Sequence, residues 1–305
     1  MLAGAQEKLQ SGSGIERQMN AIEAALSGLI DYAGLYPPAA VDMRTAVSNY
    51  LGYHARKHAW MLCRFVVDLV RLDELREAAA EASNGLRLAV VAAPEADFSA
   101  IARHRRGGLC IESVEIKCDT PLKIARMCEQ LPEDVQCYVE IPIAQGCSAT
   151  VDAIAASGVY AKLRMGGVTA EAFPTARQVA ERMYLLADRG VAFKATAGLH
   201  HPVRSRRRFT YAADSESGMM HGFLNVLCAA AALRFGASVE DAVRILEEED
   251  TGAFLVSEES IGVHGSRWSA EQMREVRKFF TGFGSCSFTE PIQDLEALGW
   301  PLERT

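Results

Sequence analysis

Three features of the sequence predict an α/β fold closed into a (β/α)8 barrel, the TIM architecture, with an extra amino-terminal helix. Eight short apolar runs alternate with longer amphipathic stretches, glycines follow several of those stretches as stop signals, and 305 residues suit one such domain. Repeated strand and helix alternation implies parallel pairing through right-handed crossovers, and closing the sheet on itself is the economical solution. The competing open, doubly wound sheet lacks its fingerprint, because no GxGxxG follows the first candidate strand.

The elements follow in order. Residues 1–14 are polar and Gly/Ser-rich and read as a flexible start, leaving 15–305 as a single barrel domain. The spacing of Ile22, Leu26, Leu29 and Ile30 predicts a helix ahead of the first strand. Candidate strands cover 29–35, 61–69, 86–93, 111–118, 137–144, 159–166, 191–198 and 253–257. Helical patterns fill 120–131, 148–157, 174–190 and 220–235, with Gly158, Gly190 and Gly236 as stops. Residues 39–60 and 234–250 are extended, partly helical connections, and 269–280 reads as the last barrel helix.

Composition sets outer limits on function. Hydrophobic residues at 49% and charged residues at 23% predict an ordinary soluble globular protein with a sizeable core. A formal charge of −7 argues against nucleic acid as the main partner and suits a cytoplasmic protein. No apolar run approaches the roughly 18 residues of a membrane span, and MLAGAQEKLQSGSG lacks the plan of a signal peptide. The eight cysteines show no zinc spacing, so they are expected to be reduced, small apolar core residues, with no metal and no cofactor implied.

Function enters through strand parity. In a barrel every second side chain points into the lumen. On that rule Glu115 and Lys117, then Glu140, then Lys162 and Arg164, then Lys194 and Thr196 share the inner face of four consecutive strands, near their carboxyl ends. Unpaired ions there would cost several kcal/mol each, so this face is the candidate site. Cations outnumber carboxylates among these residues, which predicts a small anionic metabolite as partner. Asp68, with Arg64 on the same strand, extends the ring, while Asp31 or Tyr32 on the first strand has an ambiguous register. A buried salt-bridge layer without function is the competing reading.

The loops beyond these strands supply the rim. In VAFKATAGLHHPVR, Gly198 lets backbone amides approach a ligand, and His200, His201 and Arg204 follow the strand end. Adjacent histidines on an extended segment point opposite ways, so at most one faces the site. Arg206, Arg207 and Arg208 fit a solvated basic loop, and Cys286, in GFGSCSFTEP, fits a turn. Homo-oligomerisation is left open by the sequence.

The lysine words YAKLRMGG and FKATAGL resemble the deoxyribose-phosphate aldolase group of class I aldolases. That resemblance covers about 40 residues, and strand six departs from the group's Lys-Thr-Ser-Thr-Gly word. It implies a TIM barrel with a Schiff-base lysine on strand six, a second lysine on strand seven and a phosphate site in the late loops. On this chain the implied pair is Lys162 and Lys194, with Glu140 or Glu115 moving protons and Arg164 with Arg204 holding the anion. A neighbouring cation and desolvation would lower the pKa of one amine. KATAGL is also similar to the Lys-Thr-Thr-Pro-Gly-Leu word of quinolinate phosphoribosyltransferases, which implies non-covalent transfer. A non-catalytic anion-binding barrel is the third expectation.

Overall fold

Short runs rich in Val, Ile, Ala and Leu, each too brief to bury itself as a helix, pair side by side into a closed, all-parallel barrel in the computed structural model, which describes residues 19–118, 120–143 and 146–302. The eight barrel strands are β1 (Ile30–Tyr32), β2 (Leu62–Asp68), β3 (Arg87–Ala92), β4 (Cys110–Lys117), β5 (Gln136–Ile141), β6 (Tyr160–Arg164), β7 (Phe193–Thr196) and β8 (Phe280–Ser285). Neighbours follow chain order, and β8 closes the ring against β1. The (β/α)8 prediction holds.

Helices sheathe the ring. They are α1 (Ala21–Leu26), α2 (Met43–Tyr53), α3 (Leu72–Ala79), α4 (Ser99–Arg106), α5 (Pro121–Cys128), α6 (Ser148–Ala156), α7 (Ala176–Asp188), α8 (Phe223–Arg234), α9 (Val239–Glu247), α10 (Ala270–Phe279) and α11 (Thr289–Ala297). Local chemistry fixes their ends: Thr175, Ser238 and Ser269 close capping boxes on α7, α9 and α10. Gly158 and Gly190, at φ of 66° and 64°, take the left-handed turn just past α6 and α7. Side chains facing outward from the strands, such as Phe65, Val114, Val139, Leu163 and Phe193, pack under the helices as the main core.

One strand assignment is corrected. The predicted eighth strand at 253–257 exists as Phe254–Val256, but it pairs antiparallel with Ser260–Val263 in a three-stranded sheet outside the barrel. The eighth barrel strand is instead Phe280–Ser285, whose glycines weaken the apolar signal of a buried strand. In consequence α10 leads into β8 and the last helix is α11, so the expectation that 269–280 ends the barrel is also corrected. A second antiparallel pair, Ser205–Arg208 with Ser217–Met220, takes up the arginine run after β7.

The predicted helix before β1 is present as α1, and the predicted flexible start at 1–14 lies outside the described residues. The buried guanidinium of Arg277, near the end of α10, donates to the carbonyls of Ala25, Ser27 and Gly28 on one side and of Phe280 and Thr281 on the other. It ties the first helix to the last strand. Among the described residues no helix is long and apolar enough to cross a membrane.

Candidate functional site

Inside the barrel the polar side chains stack in tiers. At the amino-terminal end Arg64 bonds Glu112 at 2.9 Å and Gln136 at 2.8 Å, and Glu112 also takes Arg87 at 2.7 Å. Above this tier Tyr138 lies across the lumen, its hydroxyl 3.1 Å from Thr281 Oγ1 and its ring 5.4 Å from Lys194 Nζ. The ring forms the floor on which the charged middle tier sits.

The middle tier is a continuous ion-pair network. Lys194 Nζ, 2% exposed, donates to Asp31 and to Glu115 Oε1 at 2.5 Å. Lys162 Nζ lies 2.9 Å from Glu115 Oε2 and 3.0 Å from Glu140 Oε2, and Arg164 Nε meets Glu140 Oε1 at 3.0 Å. The register explains the convergence: Lys162 sits beside Lys194 and Glu140 beside Lys162 on adjacent strands, about 4.8 Å apart. Glu115 therefore serves two lysines, one on each oxygen.

Electrostatics follow from these contacts. Burial pushes the Glu115 carboxyl up, but Lys162 and Lys194 outweigh it and hold its pKa at about 2. Burial likewise disfavours the Lys194 ammonium, and Asp31 with Glu115 more than offsets that, so its pKa stands above the ordinary lysine value. The expected lowering of an amine pKa by a neighbouring lysine is thus reversed at Lys194. The reason is that two carboxylates, rather than Lys162, are its nearest charged neighbours. Glu140 is held below its ordinary range, the burial cost being exceeded by Lys162 and then Arg164.

The network floors a cavity of about 480 Å³ at the carboxyl ends of the strands. Its lining includes Lys117, Arg164, Thr196 and His200 from the predicted set, together with Tyr36 and Cys286. A wider concavity of about 780 Å³ opens at the opposite end around Arg64, Arg105 and Asp134. There Arg64 pairs with Glu112 and Arg105 with Asp134, with Arg106 beside them, and barrel chemistry belongs to the other face. A groove of about 750 Å³ adjoins the main cavity and shares Lys117, Glu140 and Arg164 with it.

The rim sorts the remaining predicted residues. His200 faces the cavity, with Nδ1 3.3 Å from Glu290, 3.4 Å from Ser285 and 3.9 Å from Cys286. Burial lowers its pKa, but Cys286 and Glu290 reverse this and raise it to about 9. His201 turns away to Asp294 at 2.6 Å, as the alternation of neighbours requires. Arg204 lies outside the cavity lining, with Nε 3.6 Å from Glu249, and Arg206 to Arg208 are exposed on their hairpin. Asp68 also lies outside the lining and acts on the buried Tyr36 hydroxyl, whose pKa is raised first by burial and then by that carboxylate.

Two glycines set the loop positions. A Cβ on Gly198, at φ 70°, would stand 2.8 Å from the Phe173 ring and 2.9 Å from Gly166 Cα. The turns after β6 and β7 therefore touch backbone to backbone.

Asp31, Tyr36, Cys286 and Glu290 fell outside the predicted set. Asp31 carried a signal, a carboxylate within an apolar three-residue strand, but its register was ambiguous. Cys286 and Glu290 follow β8, the strand that the apolar pattern does not mark. All eight cysteines are free thiols, five of them buried. Among the described residues no group of three His, Cys, Asp or Glu side chains is placed to hold a metal ion. In comparisons with known proteins, no family model and no curated protein matches the chain.

Proposed function

We propose that this barrel is an enzyme acting on a small anionic carbonyl or sugar compound, phosphorylated compounds included, by lyase or aldolase chemistry through a Schiff base on Lys162. The observation that carries this reading is the pair of lysines sharing Glu115 at the floor of an open cavity. A barrel interior needs no ions for stability, since apolar residues of similar volume serve as well or better. The lysine-bearing network opens on the carboxyl-terminal end of the strands, where barrel enzymes carry their chemistry.

The roles divide by depth and partner. Lys194, locked between Asp31 and Glu115, remains an ammonium and supplies fixed positive charge. Lys162 bridges Glu115 and Glu140 beside the opening and is the nucleophile. After its proton passes to Glu140, Nζ adds to the carbonyl carbon, and the oxygen takes one N–H proton and the proton held by Glu140 and leaves as water, which restores the Glu140 carboxylate. The resulting iminium accepts the electron pair of the adjacent carbon–carbon bond as it breaks, and the β-hydroxyl proton goes to Glu140 or Glu115.

The completeness of the ion-pair network favours a second reading, in which the same cations only bind an anion, for phosphoribosyl transfer or without catalysis. Borohydride treatment with a panel of small aldehydes and ketones, followed by peptide mapping, separates the two. An adduct on Lys162 is expected. No adduct with any carbonyl compound, alongside saturable binding of phosphorylated compounds, would select the second reading. If Lys194→Met and Glu140→Gln lower stability and leave ligand binding untouched, the network is a structural plug.

A further inference from the structure

Charge is unevenly distributed along the cavity's depth. On the floor, three carboxylates (Asp31, Glu115, Glu140) face two ammonium groups (Lys162, Lys194), all buried or nearly so. With Arg164, paired to Glu140 at its upper edge, the network holds three cations and three carboxylates, so its depth offers an anion no surplus positive charge. The surplus lies at the mouth. Lys117, exposed at the end of β4, makes no ion pair with any described residue. Arg164 spends Nε on Glu140 while its side chain stays 54% exposed, which leaves guanidinium N–H groups for a ligand.

The late loops offer no equivalent. Arg204 is turned toward Glu249 outside the lining, Arg206 donates to Ser217 O, and Arg207 sits 3.9 Å from Asp294. On the opposite rim, His200 is engaged by Glu290. Lys117 and Arg164 are, among the described residues, the only cations lining both the main cavity and the adjoining groove. In register, Lys117 sits beside Glu140, the same residue that anchors Arg164.

We infer that the ligand's anionic group is held at the β4–β6 side of the mouth by Lys117 and Arg164. This inference rests on the proposed function, and it fixes the substrate's orientation. The carbonyl points down to Lys162, the phosphate or carboxylate lies at the mouth, and anything beyond it runs outward into the groove past Phe173 and Pro142. The substrate class is a carbonyl compound whose anionic group is remote from its reacting carbon.

Calorimetric titration of the full chain with inorganic phosphate tests the placement without any lysine chemistry. Wild type binds phosphate, and Lys117→Met and Arg164→Met each weaken binding by about tenfold, the size expected for one charge-assisted contact. Arg204→Met and Arg207→Met leave it unchanged. Lys162→Met, which removes the imine-forming amine, keeps phosphate binding, so a failed Schiff base and a misplaced anion site give different results. Acetate in place of phosphate tells the two anions apart: tighter phosphate indicates a phosphate monoester, tighter acetate a carboxylate. No binding by wild type, or loss only in the Arg204 or Arg207 variant, overturns the inference.

Discussion

Glu115 meets Lys194 at 2.5 Å through one oxygen while its other oxygen holds Lys162 at 2.9 Å. One carboxylate thereby neutralises parts of two buried cations, and its removal leaves each with a single carboxylate, Asp31 for Lys194 and Glu140 for Lys162. Glu115→Gln is expected to destabilise the fold by about 3–5 kcal/mol, the range for breaking a buried ion pair from one side. Urea unfolding measures it. The Asp31→Asn, Lys194→Met double variant should lose less than the sum of its single variants, because both changes remove the same ion pair.

Acid sensitivity follows from the same residue. The Glu115 carboxyl has a folded pKa of about 2 against an ordinary 4.5. A depressed value contributes stability that is present above pH 4.5 and is lost as pH falls toward 2, on the order of 3 kcal/mol in all. Stability measured from pH 5 to pH 2 should fall in wild type, and this part of the slope should vanish in Glu115→Gln. An unchanged slope would mean that the carboxylate is not held by both lysines.

The two lysines should separate kinetically. Lys162→Met is expected to abolish borohydride trapping, whereas Lys194→Met retains the reacting amine and slows trapping by about 100-fold, the lower end for loss of a positioned catalytic group. Trapping rates by mass spectrometry decide it. Full-rate labelling of Lys194 in the Lys162 variant would exchange their roles.

His200 gives a dependence of opposite sign. Its pKa is raised from 6.5 to about 9. The stability it contributes is complete below pH 6.5 and disappears as pH rises through 9. Imidazole proton resonances should report the titration near 9, and Glu290→Gln should lower it, since Glu290 lies 3.3 Å from Nδ1. A midpoint near 6.5 in wild type would contradict the contact.

Gly198→Ala strains the rim twice, through its φ of 70° and through a Cβ 2.8 Å from Phe173 and 2.9 Å from Gly166 Cα. A loss of about 1–3 kcal/mol is expected, measured by thermal unfolding. Gly190→Ala shares the positive φ and has nothing within 4 Å, so it should cost less.

Much of this arrangement was legible in the residues themselves. Period-two alternation put Lys162, Lys194, Glu115 and Glu140 on one face, because side-chain direction in a strand is set by parity alone, and the structure joins all four. What parity does not encode is which partner each ion takes. Asp31 lies 163 residues from Lys194 in the chain, and only barrel closure brings them together. The eighth strand lacks an apolar sequence signal for a local reason. FTGFGS buries its backbone with glycines beside Thr196 and Leu29, so close approach replaces the apolar side chains that mark other strands. Arg204 looked functional from its place after β7, but the backbone there turns into an antiparallel pair and carries it toward Glu249.

The Arg277 clasp bears on how the chain is made. Synthesis proceeds from the amino terminus, and β1 has β2 available within about 30 residues, yet its other flank waits for β8, some 250 residues later. Until then the nascent sheet has two open edges, and the lysines of β6 and β7 emerge before the clasp that seals the ring around them. A ribosome stalled before residue 277 would therefore hold an unclosed ribbon with two strand edges exposed to neighbouring chains, which makes the segment from Arg277 through β8 the part that ends its vulnerability to aggregation.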